Sequence, residues 1–176
     1  MRKRPSPALL VGLPPLVVAL DQISKEWVLG NMGLHESIPV VPGLFSITSV
    51  RNPGAAFGLF SNSGPELRTA FLAGVSVLAV VLLTIYYLRS APHERVPRLA
   101  AALVIGGAVG NLIDRLRFGH VVDFLDIYVG RHHWPAFNVA DSAITVGITL
   151  FVLSAWRDGD RPADGADAPA PDRRRA

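Results

Sequence analysis

Nineteen consecutive uncharged residues, Ala70 to Leu88 (AFLAGVSVLAVVLLTIYYL), constrain this chain more than any other feature. A helix of that length spans about 30 Å of hydrocarbon, and a soluble fold of this size has little means of hiding it. Three shorter uncharged runs accompany it: Ala8 to Leu20, Leu99 to Ile113 and Ser142 to Trp156, with 13, 15 and 15 residues. Each becomes a span only when extended through polar positions: Asp21 and Lys25 in the first, Asp114 and Arg115 in the second, Asn138 and Asp141 in the third. The expected architecture is therefore an α-helical polytopic membrane protein. Four transmembrane helices are expected over about 8–29, 68–88, 98–115 and 138–156.

Charge distribution supports that reading. Of 31 charged residues, three precede Ala8 and ten lie in residues 157–176, leaving 18 for everything between. So few charges cannot cover a soluble globule. A soluble enzyme, a disordered chain and a nucleic-acid binder are all disfavoured. The expected organisation is one membrane-embedded domain, residues 1–156, followed by a polar tail, residues 157–176, whose Asp, Arg, Ala, Pro and Gly content reads as disordered. The first helix begins like a signal peptide, but Val18-Ala19-Leu20 is no small-x-small cleavage site, so it reads as retained, with a kink at Pro14-Pro15. Lys and Arg cluster at the N-terminal flank, in the loop Arg89 to Arg98, and after Trp156. Positive-inside bias then places both termini in the cytoplasm.

With that orientation, depth follows from the helical rise. Asp21 and Lys25 lie roughly 20 and 25 Å along the first helix, and Asp114 and Asp141 roughly 22 Å from the cytoplasmic ends of theirs. Polar groups from three helices thus converge on the outer third of the bilayer. Between the spans, Leu44 to Val50 and His120 to Phe124 read as short strands of a small extracytoplasmic β-rich platform.

Several motifs have both a structural and a chemical reading. Asp21 and Lys25, four apart, can pair on one helix face, which a purely structural ion pair would also explain. Ser24 beside Lys25 is a poor serine–lysine pair, because adjacent helical residues diverge by about 100°. Gly106 and Gly110 have GxxxG spacing and suit close helix packing. Asn111, Asp114 and Arg115 sit where the third helix ends, and Asp114 with Arg115 can act as a bridge tying a loop to it. Asp123, Asp126 and Asp141 are the candidates for chemistry. Two carboxylates sharing a site separate their pKa values, so one can take a proton while the other donates one. Spacing does not choose between Asp123 and Asp126 as the partner of Asp141. The five His show no metal-ligand pattern, there is no Cys, and neither a metal nor another cofactor is expected.

Taken together the motifs resemble lipoprotein signal peptidase (signal peptidase II), the bacterial intramembrane aspartyl protease family. Asp21-Gln-Ile-Ser-Lys25 looks like its first-helix motif, and Asn52-Pro-Gly54-Ala-Ala-Phe57 is similar to its N-x-G-x-x-F segment. Gly106-Gly-Ala-Val-Gly110-Asn111-Leu-Ile-Asp114-Arg115 resembles its third-helix motif. Val122-Asp123-Phe124 and Phe137-Asn138-Val-Ala140-Asp141 match the segments bearing its aspartates. The resemblance covers about residues 8–156 in family order. It implies Asp123 and Asp141 as catalytic residues, Asn52, Gly54, Asn111, Arg115, Asn138 and Ala140 as substrate-binding residues, and Asp21, Lys25 and Asp114 as structural support.

It further implies an aspartic endopeptidase that cuts diacylglyceryl-modified prolipoproteins before the lipidated cysteine. The expected location is the bacterial cytoplasmic (inner) membrane, with the site near the outer leaflet. The expected partners are the prolipoprotein substrates, membrane lipid and globomycin-type inhibitors, acting on a monomer. A small transporter or proton-relay subunit is the alternative. It would need ionisable groups throughout the membrane depth, and the cytoplasmic two-thirds of the four helices lack them.

Overall fold

The computed structural model describes residues 8–54 and 64–159. Four long helices alternate with a small sheet: α1 (Ala8–Asn31), β1 (Ser37–Val41), β2 (Phe45–Asn52), α2 (Pro65–Arg89), α3 (Arg95–Phe118), β3 (Val121–Val129), β4 (His132–His133) and α4 (Val139–Gly159). The helices overrun the sequence estimates by a few residues at most ends. Phe57 and the segment 160–176, which includes nearly all of the tail, lie outside the described residues.

Three helices are long and apolar enough to cross a membrane: Pro65–Arg89, Arg95–Phe118 and Val139–Arg157. Helix α1, which carries Asp21, Gln22, Lys25 and Glu26 in its second half, is not among them. The surface agrees with an apolar solvent. Leu67, Phe71, Leu78, Val81, Leu82 and Leu88 of α2 all project outward and are exposed.

Helix α3 is the centre of the bundle and packs against the other three. Its core face is built from small residues, with Ala100, Ala101 and Ala102 fully buried. A Cβ on Gly106 would sit 2.8 Å from Val17 and 3.1 Å from the Pro14 backbone of α1. A Cβ on Gly107 would strike the Ala140 carbonyl oxygen of α4. Gly147 of α4 reciprocates, lying against the Ala100 carbonyl and Val104. In lipid, where apolar side chains gain little by associating, this close backbone approach is what holds helices together. Helix α1 continues through Pro14 and Pro15 without interruption in its helical assignment. Helix α3 stops at Gly119, whose φ of 75° is the left-handed turn that favours glycine, with its N–H on the Arg115 carbonyl at 3.0 Å.

The sheet is antiparallel in the order β1-β2-β3-β4. Both expected strands are present, as parts of β2 and β3, and two further strands flank them. Strand β1 was hidden in the sequence by Pro39 and is exposed throughout, as an edge strand carrying proline should be. Strands β2 and β3 pair from Phe45↔Ile127 to Asn52↔Val121, with an irregularity between Ile47 and Val50. The sheet is fastened to the end of α1 by a core of Val28, Met32, Val122 and Phe124. It therefore sits at the end of the bundle where α3 finishes and α4 begins.

Candidate active site

The site begins with a buried cation. Lys25 is 2% exposed, and Asp21 and Asp114 are wholly buried. The Lys25 ammonium lies 2.7 Å from Asp21 Oδ2 and 2.8 Å from Asp114 Oδ2, and donates to Asn111 Oδ1 at 3.1 Å. These three contacts use its three N–H donors. The two carboxylates reach further. Asp21 Oδ1 accepts the Ala140 N–H of α4 at 2.9 Å. Asp114 accepts Gln22 Nε2 at 2.8 Å and the Val122 N–H of β3 at 3.0 Å. One charge cluster thus joins α1, α3, α4 and the sheet.

Asn111 and Asn138 carry the network onward. Asn111 donates from Nδ2 to Asp141 Oδ1 at 2.7 Å, while its Oδ1 accepts from Lys25 and, at 3.2 Å, from Asn138. Asn138 precedes α4, and its Oδ1 accepts the Asp141 N–H at 2.8 Å, the side-chain cap preferred at a helix start. The same asparagine donates to Asp123 Oδ1 at 2.7 Å. The other oxygen of Asp123 accepts from Asn52 Nδ2 at 2.9 Å. Asn52 Oδ1 in turn holds the Gly54 N–H at 2.9 Å. Gly54 has a φ of +81°, the left-handed region that favours glycine, and a Cβ there would force the tip of Leu72 of α2 to move.

Asp123 and Asp141 therefore face one another across Asn138, each held by amide donors and neither bonded directly to a cation. Burial pushes the Asp123 carboxyl up to about 7, against the hydrogen bond from Asn52. The Asp141 charge pushes in the same direction as burial, while Asn138 and Lys25 oppose it. Near neutral pH Asp123 can therefore take or give a proton beside a second carboxylate. That is the requirement for acid–base work on one substrate.

All eleven residues to which the resemblance gives a role belong to or adjoin this network. Ala140 enters through its N–H and is itself fully buried against Gly107 and Gly110 of α3. Arg115 lies beside the network rather than within it. It donates to the Asn111 carbonyl at 3.3 Å and approaches Ser76 Oγ of α2 at 3.5 Å. The bridge considered between Asp114 and Arg115 is not formed. Adjacent helical side chains diverge, so Asp114 turns inward to Lys25 and ties the loop to the helix through Val122 N–H instead. Asp126 belongs to a separate cluster further along β3, 3.0 Å from His133 Nδ1, with His133 stacked on Tyr128.

One participant in the network escaped sequence reasoning, and so did one buried pair remote from it. Gln22 was passed over beside two charged neighbours, although an amide within an apolar span was itself a signal. Arg98, read only as a topology-setting cation, is buried with its guanidinium 4.5 Å over the Tyr87 ring and donates to the Tyr87 hydroxyl at 2.8 Å. No sequence pattern pairs a helix-end arginine with a tyrosine eleven residues earlier.

Fold and site define a class: a polytopic membrane protein with paired carboxylates where its helices meet a small sheet. The chain belongs to the signal peptidase (SPase) II family, whose model matches residues 14–157. It is 50% identical over 153 residues to the lipoprotein signal peptidase of Syntrophotalea carbinolica, covering 87% of this chain and 94% of that protein. With the lipoprotein signal peptidase of Desulforapulum autotrophicum it shares 53% identity over 137 residues, 78% of this chain and 85% of the other. A solved bacterial membrane enzyme superposes with a TM-score of 0.81 at 29% identity, over 96% of this chain and 99% of that one. The protein is a peptidase of the bacterial membrane.

Proposed function

We propose that Asp123 and Asp141 are the catalytic pair of an aspartic endopeptidase that removes signal peptides from diacylglyceryl-modified prolipoproteins, cutting before the lipidated cysteine. The observation that carries this reading is the single asparagine, Asn138, bonded to Asp123 through its side-chain amide and to the Asp141 backbone through its oxygen. The ionised member of the pair takes a proton from water as the water oxygen attacks the scissile carbonyl carbon. The protonated member donates its proton to the carbonyl oxygen. On collapse of the tetrahedral intermediate, the C–N bond breaks, the member that took the proton from water passes it to the departing amine, and a hydroxyl of the gem-diol returns its proton to the other member, leaving the pair singly protonated for the next turn.

Asn52, Gly54, Asn111, Arg115, Asn138 and Ala140 line or underlie the substrate groove. Asp21, Lys25 and Asp114 hold its floor rigid. Helix α1 is the fourth span. Asp21 and Lys25 are tolerable in lipid because they face the bundle and are mutually paired, and Glu26 pairs with Arg117 of α3. Both termini lie in the cytoplasm of a bacterial inner membrane, and the pair lies near the outer leaflet, where a diacylglyceryl group holds its linkage. The domain of residues 1–156 acts as a monomer, and globomycin-type cyclic peptides occupy the same groove.

The test is cleavage of a lipidated prolipoprotein in detergent, with the unlipidated form as control. Asp123→Asn and Asp141→Asn should each reduce cleavage by several orders of magnitude while the protein remains folded. Wild-type rates in either variant, or equal cleavage of the unlipidated form, would sink the assignment.

A further inference from the structure

At the end of the bundle opposite the aspartates, α2, α3 and α4 leave an open groove of about 1060 Å³. Arg157 lies sixteen residues beyond Asp141 on α4, roughly 24 Å away along the helix, so the two features occupy opposite faces of the membrane. The groove wall is apolar, made of Tyr86 from α2 with Leu150 and Leu153 from α4. Tyr86 is held in that wall by an edge-to-face contact with Phe151 of α4, 5.6 Å between ring centroids. Its rim carries Arg95, Arg157 and His93, set against one acid, Glu94. Arg95 and Arg157 are exposed, and among the described residues neither takes part in an ion pair.

We propose that this groove binds one anionic phospholipid, with the phosphate on Arg95 and Arg157 and an acyl chain along Leu150 and Leu153. The ligand is chosen by the coincidence of two chemistries at one depth: cations that form no ion pair among the described residues, and an apolar trough running from them along α4. Basic pockets between helices at a membrane face recognise anionic headgroups in this way. The basic start of a signal peptide is the other segment that reaches this face, and the two arginines repel it. Only the leaflet concerned, the cytoplasmic one, rests on the topology proposed above. The site itself does not, and its test is independent of peptide cleavage.

The experiment is thermal unfolding of the full chain in detergent, titrated with phosphatidylglycerol, with phosphatidylcholine or with inorganic phosphate. Phosphatidylglycerol should raise Tm in a saturable way, and the other two should not. In the double variant Arg95→Gln, Arg157→Gln the lipid affinity should fall about 30-fold, as expected for two lost cationic contacts. The double variant Arg95→Lys, Arg157→Lys should retain most of it and serves as the control for folding. Leu153→Glu, with both arginines intact, should also abolish the response. Equal stabilisation by phosphatidylcholine, or an undiminished response in the glutamine variant, would overturn the proposal. So would displacement of the lipid by a basic signal-peptide segment.

Discussion

Replacing Lys25 by Met is the most informative single perturbation of this fold. The substitution keeps the volume of the side chain and removes one charge from a site where Lys25, Asp21 and Asp114 are all essentially inaccessible. Two carboxylates then lose the one ion-pair partner they have among the described residues, at 2.7 and 2.8 Å, and Asn111 loses a donor at 3.1 Å. Breaking a buried ion pair from one side costs about 3–5 kcal/mol, because the remaining charge stays buried without compensation. Here each acid keeps other donors: Ala140 N–H for Asp21, and Gln22 and Val122 N–H for Asp114. The loss should therefore fall near the lower bound, about 3 kcal/mol, or roughly a hundredfold in the folding equilibrium.

The assay is equilibrium unfolding in mixed micelles. The reasoning makes a second demand on it: adding Asp114→Asn to Lys25→Met should recover at least half of the loss, since it removes one of the two stranded charges. A cost below about 1 kcal/mol for Lys25→Met, or a double variant as unstable as the sum of its parts, would refute the account.

Two further outcomes follow from other parts of the structure. Gly107→Ala should destabilise by about 1–3 kcal/mol, because its Cβ would meet the Ala140 carbonyl and Ile144. Gly12→Ala, with nothing within 4 Å, should be neutral or slightly stabilising; equal thermal shifts in the two variants would contradict the close α3–α4 packing. The pH dependence has a defined sign. Asp123 is raised from its ordinary 3.8 to about 7 in the folded protein, so between those values the native state binds more protons than the unfolded one. Its contribution to stability is fully present below about pH 4 and is lost as pH rises through about 7. Asp123→Asn should flatten that part of the stability profile. An unchanged slope in the variant would place the titration elsewhere.

Much of this molecule was legible in the chain because its two main constraints are local. An uncharged run long enough to cross hydrocarbon declares its solvent whatever its neighbours do, as Ala70 to Leu88 does. Asp21, Lys25, Asp114 and Asp141 could be placed at a common depth from helical rise alone. The strands around Ile47 and Phe124 were visible from β-branched and aromatic content between turn residues. Strand β1 was not, since Pro39 and full exposure remove the alternating pattern that marks a strand.

What the sequence alone determined is the solvent, the number of long helices and the set of polar residues gathered at one level. Only the tertiary structure decided which of them touch. Asp123 rather than Asp126 meets Asn52 and Asn138, and Asp114 turns to Lys25 rather than to its neighbour Arg115. Arg98 folds back over Tyr87 instead of pointing outward. The physical reason is the same in each case. Hydropathy and helical rise act along the chain and can be summed from it. A hydrogen bond depends on a few tenths of an ångström between groups that may lie 119 residues apart, as Asp21 and Ala140 do.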